Sequence, residues 1–233
     1  MLYYIHMQYT LPTVRTLILD TWNTFKKHLE DLQRFIYPLL IGSFIYSLIQ
    51  FFLLRSANTL ALHITLVCMY IAFIFWYAIR LMQALLQIEA GQKITFNTKS
   101  TSQAKKSIPS LLFIAFFQEL IILGGFFLFV IPGIYFGIAL SFSSFIHLET
   151  QKKGFNALGA SRDLVRNKWW AIFWRQCVFG FVCSSVYFIL LEMSKIISSE
   201  STIFVSNILS AFILPLNLIF HVKLYTALKK SSL

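Results

Sequence analysis

The sequence predicts an all-α integral membrane protein with six transmembrane helices, and three observations predict it. Of its 233 residues, 58% are hydrophobic and only 12% are charged, whereas soluble domains carry about 25% charged residues. Six apolar segments approach or reach the roughly 20 residues that cross about 30 Å of hydrocarbon. Lys and Arg residues alternate between crowded and nearly empty connections along the chain. A water-soluble domain is excluded, and the chain reads as a single polytopic membrane domain over residues 1–233.

The first element is a surface helix. Across residues 11–32, Leu11, Val14, Ile18, Trp22, Phe25, Leu29 and Leu32 recur at steps of three and four, forming one apolar face. Lys26, Lys27, Glu30 and Asp31 lie largely off it and Pro12 suits a first turn, so the stretch predicts an amphipathic interfacial helix. Spans follow near 35–54, 60–81, 108–130, 134–148, 169–191 and 203–222. Between the third and fourth, Pro132-Gly133 removes a backbone donor and permits a tight reversal, which predicts a hairpin. The other connections on that side are RSANTL and about ten residues around Glu192 to Ser201, too short to bind much. Cys68, Cys177 and Cys183 all fall in apolar spans without metal spacing, so they read as small buried hydrophobes.

Charge gives the expected orientation. Four Lys and Arg precede the first span, five mark the second connection when Arg80 at the end of span two is counted with it, five lie in the fourth and three in the tail; the alternate connections hold one, none and one. The positive-inside rule then puts both termini in the cytoplasm. The first ten residues lack the features of a cleaved signal peptide, so span one is expected to serve as its own insertion signal.

A threefold pattern runs through the chain. In GFNALGASRDLVRNKWW, before span five, Phe155, Leu158, Val165 and Trp169 share a face, while Arg162 and Arg166 sit one turn apart elsewhere. The polar stretch FNTKSTSQAKKSIP holds the same place before span three, and Phe96-Asn97 echoes Phe155-Asn156. Units of roughly 11–88, 93–149 and 154–228 are expected, each a cytoplasmic interfacial helix followed by a helical hairpin.

The blocks DTWNTFKKHL (20–29), VIPGIYFGIAL (130–140), ETQKKGFNALGASRDLVRNKWW (149–170) and SNILSAFILPLNLIFHVKLYTAL (206–228) resemble the YciC family of bacterial inner-membrane proteins. More loosely, Pro132, Gly133, Gly154, Ala157, Leu158, Ser161, Trp169 and Trp170 are similar to the membrane domain fused to some glycerophosphodiester phosphodiesterases, with one extra residue in the Gly-to-Ser stretch. The resemblance implies a multi-pass protein of the bacterial inner membrane, and it carries no catalytic residues with it. One departure is the connection RSANTL, where relatives carry a longer loop between the first two spans.

Two groups of residues are candidates for function. Glu119 lies about eleven residues into span three, near the midplane at about 1.5 Å per residue. Arg175 lies within span five at a depth differing by about two turns or less. Intramembrane charges of this kind form structural pairs or sites in small transporters and channels. The second group is the basic surface of Lys105, Lys106, Lys152, Lys153, Arg162, Arg166 and Lys168. Such clusters attract anionic lipid at about 1 kcal/mol per cation near the surface, and two arginines at i and i+4 can grip a phosphate. The same charge also serves topology.

Gly124, Gly125 and Gly137 read as packing positions, Pro38 and Pro215 as helix kinks, and Trp169, Trp170 and Trp174 as an interfacial belt. His63, His147 and His221 sit near span ends without partners at ligand spacing, so no metal site is expected. No G-x-S-x-G, H-E-x-x-H, G-x-x-x-x-G-K or C-x-x-C occurs, and no cofactor or enzymatic activity is expected. The expected partner is the bilayer, with a homo-oligomer or membrane partner protein left open and nucleic acid excluded. The leading reading is a non-enzymatic inner-membrane protein whose basic face engages anionic lipid or a partner in envelope homeostasis. The alternative is a transporter or channel using Glu119 and Arg175.

Overall fold

A computed structural model describes residues 11–53, 60–92, 98–198 and 201–231. Regular structure among these residues is entirely helical, and six helical segments are long and apolar enough to cross a membrane. They run Leu29–Phe52, Leu60–Glu89, Lys105–Leu128, Val130–Thr150, Trp169–Ile196 and Ser201–Lys230. The chain is a multi-pass membrane protein by this architecture. Residues 55–59 of RSANTL, Lys93, the Phe96-Asn97 echo and the first ten residues lie outside the described residues.

Helix α1 (Val14–Lys27) opens on Thr13, whose hydroxyl oxygen accepts the Thr16 amide at 3.3 Å. It ends at His28, and α2 (Leu29–Leu53) follows at once. The single surface helix expected over 11–32 is therefore two helices, with Leu29 and Leu32 belonging to the span. The buried line of α1 also shifts, running through Leu17 and Thr21, while Trp22 is exposed. Thr21 is tolerated inside because its hydroxyl donates to the Leu17 carbonyl at 2.7 Å.

Helices α2 and α3 (Leu60–Glu89) pair antiparallel. Gly42 lies under Phe73, the Tyr46 and Tyr70 rings stack at 4.0 Å, and Ser43 and Tyr70 share a hydrogen bond at 2.9 Å. After α4 (Thr98–Leu128), α5 (Val130–Ala139), α6 (Ser143–Thr150) and α7 (Phe155–Arg166), the last two helices are α8 (Trp169–Ile197) and α9 (Ser201–Lys230). α9 touches α1, α2, α3 and α8, so it is the central helix on which these four pack. Phe179 of α8 stacks on Phe220 of α9 at 3.9 Å, and Asn207 donates to Ser47 of α2 at 2.9 Å. Such interhelical hydrogen bonds contribute about 0.6 to 2 kcal/mol in a membrane, where packing replaces the hydrophobic drive.

The middle third departs from the expected repeat in three ways. α4 is continuous from Thr98, so no separate interfacial helix precedes the third span. The reversal is a single extended residue, Phe129 (φ −163°, ψ 156°), and Pro132 lies in the first turn of α5, where its missing N–H costs little. Gly125 and Gly133 let the two helices touch: a Cβ on Gly125 would sit 2.9 Å from the Gly133 backbone. Finally, the fourth segment, expected as one span over 134–148, is interrupted at Leu140–Phe142 between α5 and α6.

The core is concentrated at one end. Leu32, Phe35, Leu81, Leu85, Phe142, Phe145, Val165, Ile172, Phe220, Leu224 and Leu228 form one buried cluster where α1, α6 and α7 close over the bundle. At the other end Phe52, Leu60 and Ile196 are exposed, which lipid rather than water tolerates.

Candidate functional site

The closed end of the bundle is also the basic end. Lys168 donates from Nζ to the Ser231 carbonyl at 2.9 Å, Lys223 pairs with Glu89 at 3.0 Å, and Lys229 pairs with Glu149 at 2.6 Å. Helix α7 forms its outer rim. Gly154 before it adopts φ +54°, a left-handed backbone that glycine accepts without strain, and the chain turns there from α6 into α7. Ala157, Leu158, Ser161 and Val165 bury one face of α7.

Ser161 explains the interruption of the fourth segment. Its hydroxyl donates to the Ala139 carbonyl at 2.8 Å and accepts the Phe142 amide at 3.2 Å. The break between α5 and α6 strands one acceptor and one donor, and a single buried side chain satisfies both. Nothing in the local pattern at 139–142 announces this, because the partner lies about twenty residues away.

The other face of α7 presents Arg162 and Arg166, both exposed, with no hydrogen bond or ion pair to any described residue. Lys152 and Lys153 are exposed on the approach to the helix. The Lys152 carbonyl accepts from His147 Nδ1 at 2.7 Å, which fixes that turn. Lys168 is half-buried and engaged with Ser231, so of the five predicted headgroup contacts it is the one committed to holding the fold. Lys105 and Lys106 are exposed on α4. A shallow recess of about 680 Å³ runs beside α7, with Lys152, Asn156 and Asp163 in its lining, so its charge is mixed. Trp170 and Trp174 are 67% and 60% exposed, as an interfacial position for them requires.

Glu119 and Arg175 are not brought together. Arg175 donates from Nε to the Pro12 carbonyl at 2.8 Å, from one terminal nitrogen to Leu11 at 3.0 Å, and from the other to Ala171 at 2.7 Å. It ties the segment before α1 to α8, with backbone oxygens neutralising its donors. Glu119 is exposed on α4 among Phe116, Leu120 and Leu123, and pairs with no described residue. Gln176, one residue beyond Arg175, donates instead to Ser141 at 3.3 Å.

Sequence reasoning missed the acids that close the end. Glu149 accepts from both Tyr225 and Lys229, joining α6 to α9, and Glu89 joins α3 to α9. A recess of about 330 Å³ between α3 and α6 is lined by Gln83, Gln87, Gln92 and Glu149 among others. Their spacing in sequence carries no signal, since each tie joins helices far apart in the chain. Among the described residues no three His, Cys, Asp or Glu side chains converge as a metal site would need.

Comparison with known proteins places these elements in context. The model of an uncharacterised protein family, UPF0259, matches residues 69–227, from within α3 to near the end of α9. That span contains Glu119, Arg175 and the basic residues from Lys105 to Lys168, though not Lys229, and it agrees with the YciC-type resemblance of the sequence blocks. The looser likeness to a glycerophosphodiester phosphodiesterase membrane domain finds no support. No curated protein and no solved structure matches the chain.

Proposed function

The chain belongs to the uncharacterised protein family UPF0259, and we propose that it acts without catalysis, using its basic end to hold anionic phospholipid headgroups. On this reading the protein resides in the bacterial inner membrane with both termini and α7 on the cytoplasmic side, and it serves envelope homeostasis. The single observation that carries the reading is the pair Arg162 and Arg166. They are one helical turn apart, exposed, and free of any partner among the described residues, while the opposite face of α7 is packed into the bundle. Charges that only enforce topology need no such presentation, whereas two guanidinium groups on one helix offer paired donors to a phosphate.

The contrast with neighbouring cations supports the assignment. Lys168, Lys223 and Lys229 are engaged by a carbonyl or a carboxylate of the fold. Two arginines at about 1 kcal/mol each correspond to about 30-fold in lipid affinity. Native mass spectrometry of the full chain released in mild detergent tests this. The wild type is expected to retain phosphatidylglycerol or cardiolipin, and the Arg162→Ala/Arg166→Ala double variant to lose it. Equal retention by both would overturn the reading.

A further inference from the structure

The third and fourth apolar segments have both the length and the composition of full spans. We propose that their apolar hairpin, α4–α5, is instead embedded in the leaflet at the basic end and does not cross the membrane. This inference is independent of the headgroup reading above, because it rests on where the hairpin is anchored rather than on charge.

Three contacts fix the depth of α5. The indole N–H of Trp169, the first residue of α8, donates to the Tyr135 carbonyl at 3.2 Å, and the two rings stack at 5.8 Å. Ser161 of α7 holds the Ala139 carbonyl. Gln176, about two turns into α8, donates to Ser141. From Tyr135 to Ser141 the chain therefore climbs alongside α8 in the same direction, away from the basic end. Traced backward, α5 descends from Ser141 to the level of Trp169 at Tyr135, and Phe129 lies six residues, about 9 Å, further along the helix, where an exposed apolar tip stays in hydrocarbon by leaning sideways from α8 within that leaflet. α8 meanwhile continues from Gln176 to Ile197, about 30 Å beyond the last of these three contacts. The tip cannot reach the far end of the bundle along that path.

The composition of the tip decides which medium surrounds it. Phe127, Leu128, Phe129, Val130 and Ile131 are 91%, 71%, 75%, 62% and 79% exposed, and no polar side chain lies between Glu119 and Tyr135. A turn that emerged into water would need polar residues, whereas a one-residue reversal within two closely packed helices leaves few backbone groups unpaired. Phe129 donates its amide to Gly125, and Phe129's carbonyl accepts from Gly133. These two bonds reduce the number of backbone groups that the turn exposes to hydrocarbon. Phe113 and Phe117 of α4 pack on Phe155, the first residue of α7, at 5.5 and 4.9 Å. Glu119, two residues further, then sits close to the level of α7 rather than at the bilayer midplane, which accounts for an exposed acid with no partner. Charge counting could not reveal this, since a hairpin returns to the same side whether or not it crosses.

Single cysteines at Gly124 and Ile131, in a full chain with Cys68, Cys177 and Cys183 replaced by alanine, test the proposal. A Cβ at Gly124 meets nothing within 4 Å, so that variant is expected to fold even if Ile131→Cys does not. A membrane-impermeant maleimide is applied to either face of sealed vesicles, with Lys153→Cys and Lys195→Cys as references for the two ends. Both tip cysteines are expected to react at least tenfold more slowly than either reference from both faces. A fluorophore placed there after solubilisation and reconstitution is expected to be quenched by nitroxide lipids confined to the Lys153-side leaflet. Labelling at the rate of Lys195→Cys from its face would show a full crossing and overturn the proposal. So would labelling at the rate of Lys153→Cys, or quenching from the opposite leaflet alone.

Discussion

Ser161 and Ala139 are joined by a 2.8 Å hydrogen bond across two helices, and the same hydroxyl accepts the Phe142 amide. One side chain thus replaces the two helical bonds lost where the fourth apolar segment breaks. Ser161→Ala leaves a buried acceptor and a buried donor unpaired, at about 1 to 3 kcal/mol each. A loss of about 2 kcal/mol or more is expected in a steric-trapping or SDS unfolding measurement, with a change in protease sensitivity centred on Leu140–Phe142.

Gly124 and Gly125 are adjacent yet make opposite predictions. A Cβ at Gly124 meets open space, while one at Gly125 falls 2.9 Å from the Gly133 backbone. Gly124→Ala is expected to be neutral or to stabilise by up to about 1 kcal/mol through helix propensity. Gly125→Ala forces α4 and α5 apart, at about 1 to 3 kcal/mol by overpacking. Thermal unfolding of the two variants in the same detergent distinguishes them.

Arg175 predicts a local effect. Its guanidinium holds the carbonyls of Leu11 and Pro12, so Arg175→Gln is expected to loosen the segment leading into α1. Hydrogen exchange across residues 11–17 should rise, with little change in α9. Arg175→Lys should rescue only part of it, because an ammonium cannot reproduce the fixed fork of donors.

Glu149 joins Tyr225 and Lys229 at the basic end. A double-mutant cycle with Glu149→Gln and Tyr225→Phe is expected to show coupling of about 1 kcal/mol, since the site is partly exposed and solvent weakens it. Absence of coupling would mean that α6 is held by its apolar face, Phe142 and Phe145 against Tyr225, without help from the acid.

Much of the fold is legible in the sequence, and the exceptions share a physical cause. The spans at 35–54, 60–81, 169–191 and 203–222 are readable because each is a long, mostly apolar run, and the described residues of each fall within a helix. The amphipathic stretch before span five was readable from Phe155, Leu158 and Val165, although Phe155 itself is exposed and packs against Phe113 and Phe117. The break at Leu140–Phe142 is not readable, because it depends on Ser161, distant in sequence, and the continuous apolar spacing across residues 11–32 gives no sign of the division at His28. Glu119 and Arg175 suggested a pair on depth alone, yet helix depth says nothing about azimuth or about backbone carbonyls as partners. The arginines on α7 were visible from their i, i+4 spacing; their freedom from partners needed the structure.

The most direct test of the account is the selectivity of spin-labelled lipids for the reconstituted full chain. Electron paramagnetic resonance reports the immobilised fraction for phosphatidylglycerol relative to phosphatidylcholine. The account predicts a several-fold preference for the anionic lipid, which falls as salt rises from 0.05 to about 0.5 M by screening and disappears in Arg162→Ala/Arg166→Ala. A ratio near one in the wild type, or a preference the double variant keeps in full, would contradict it.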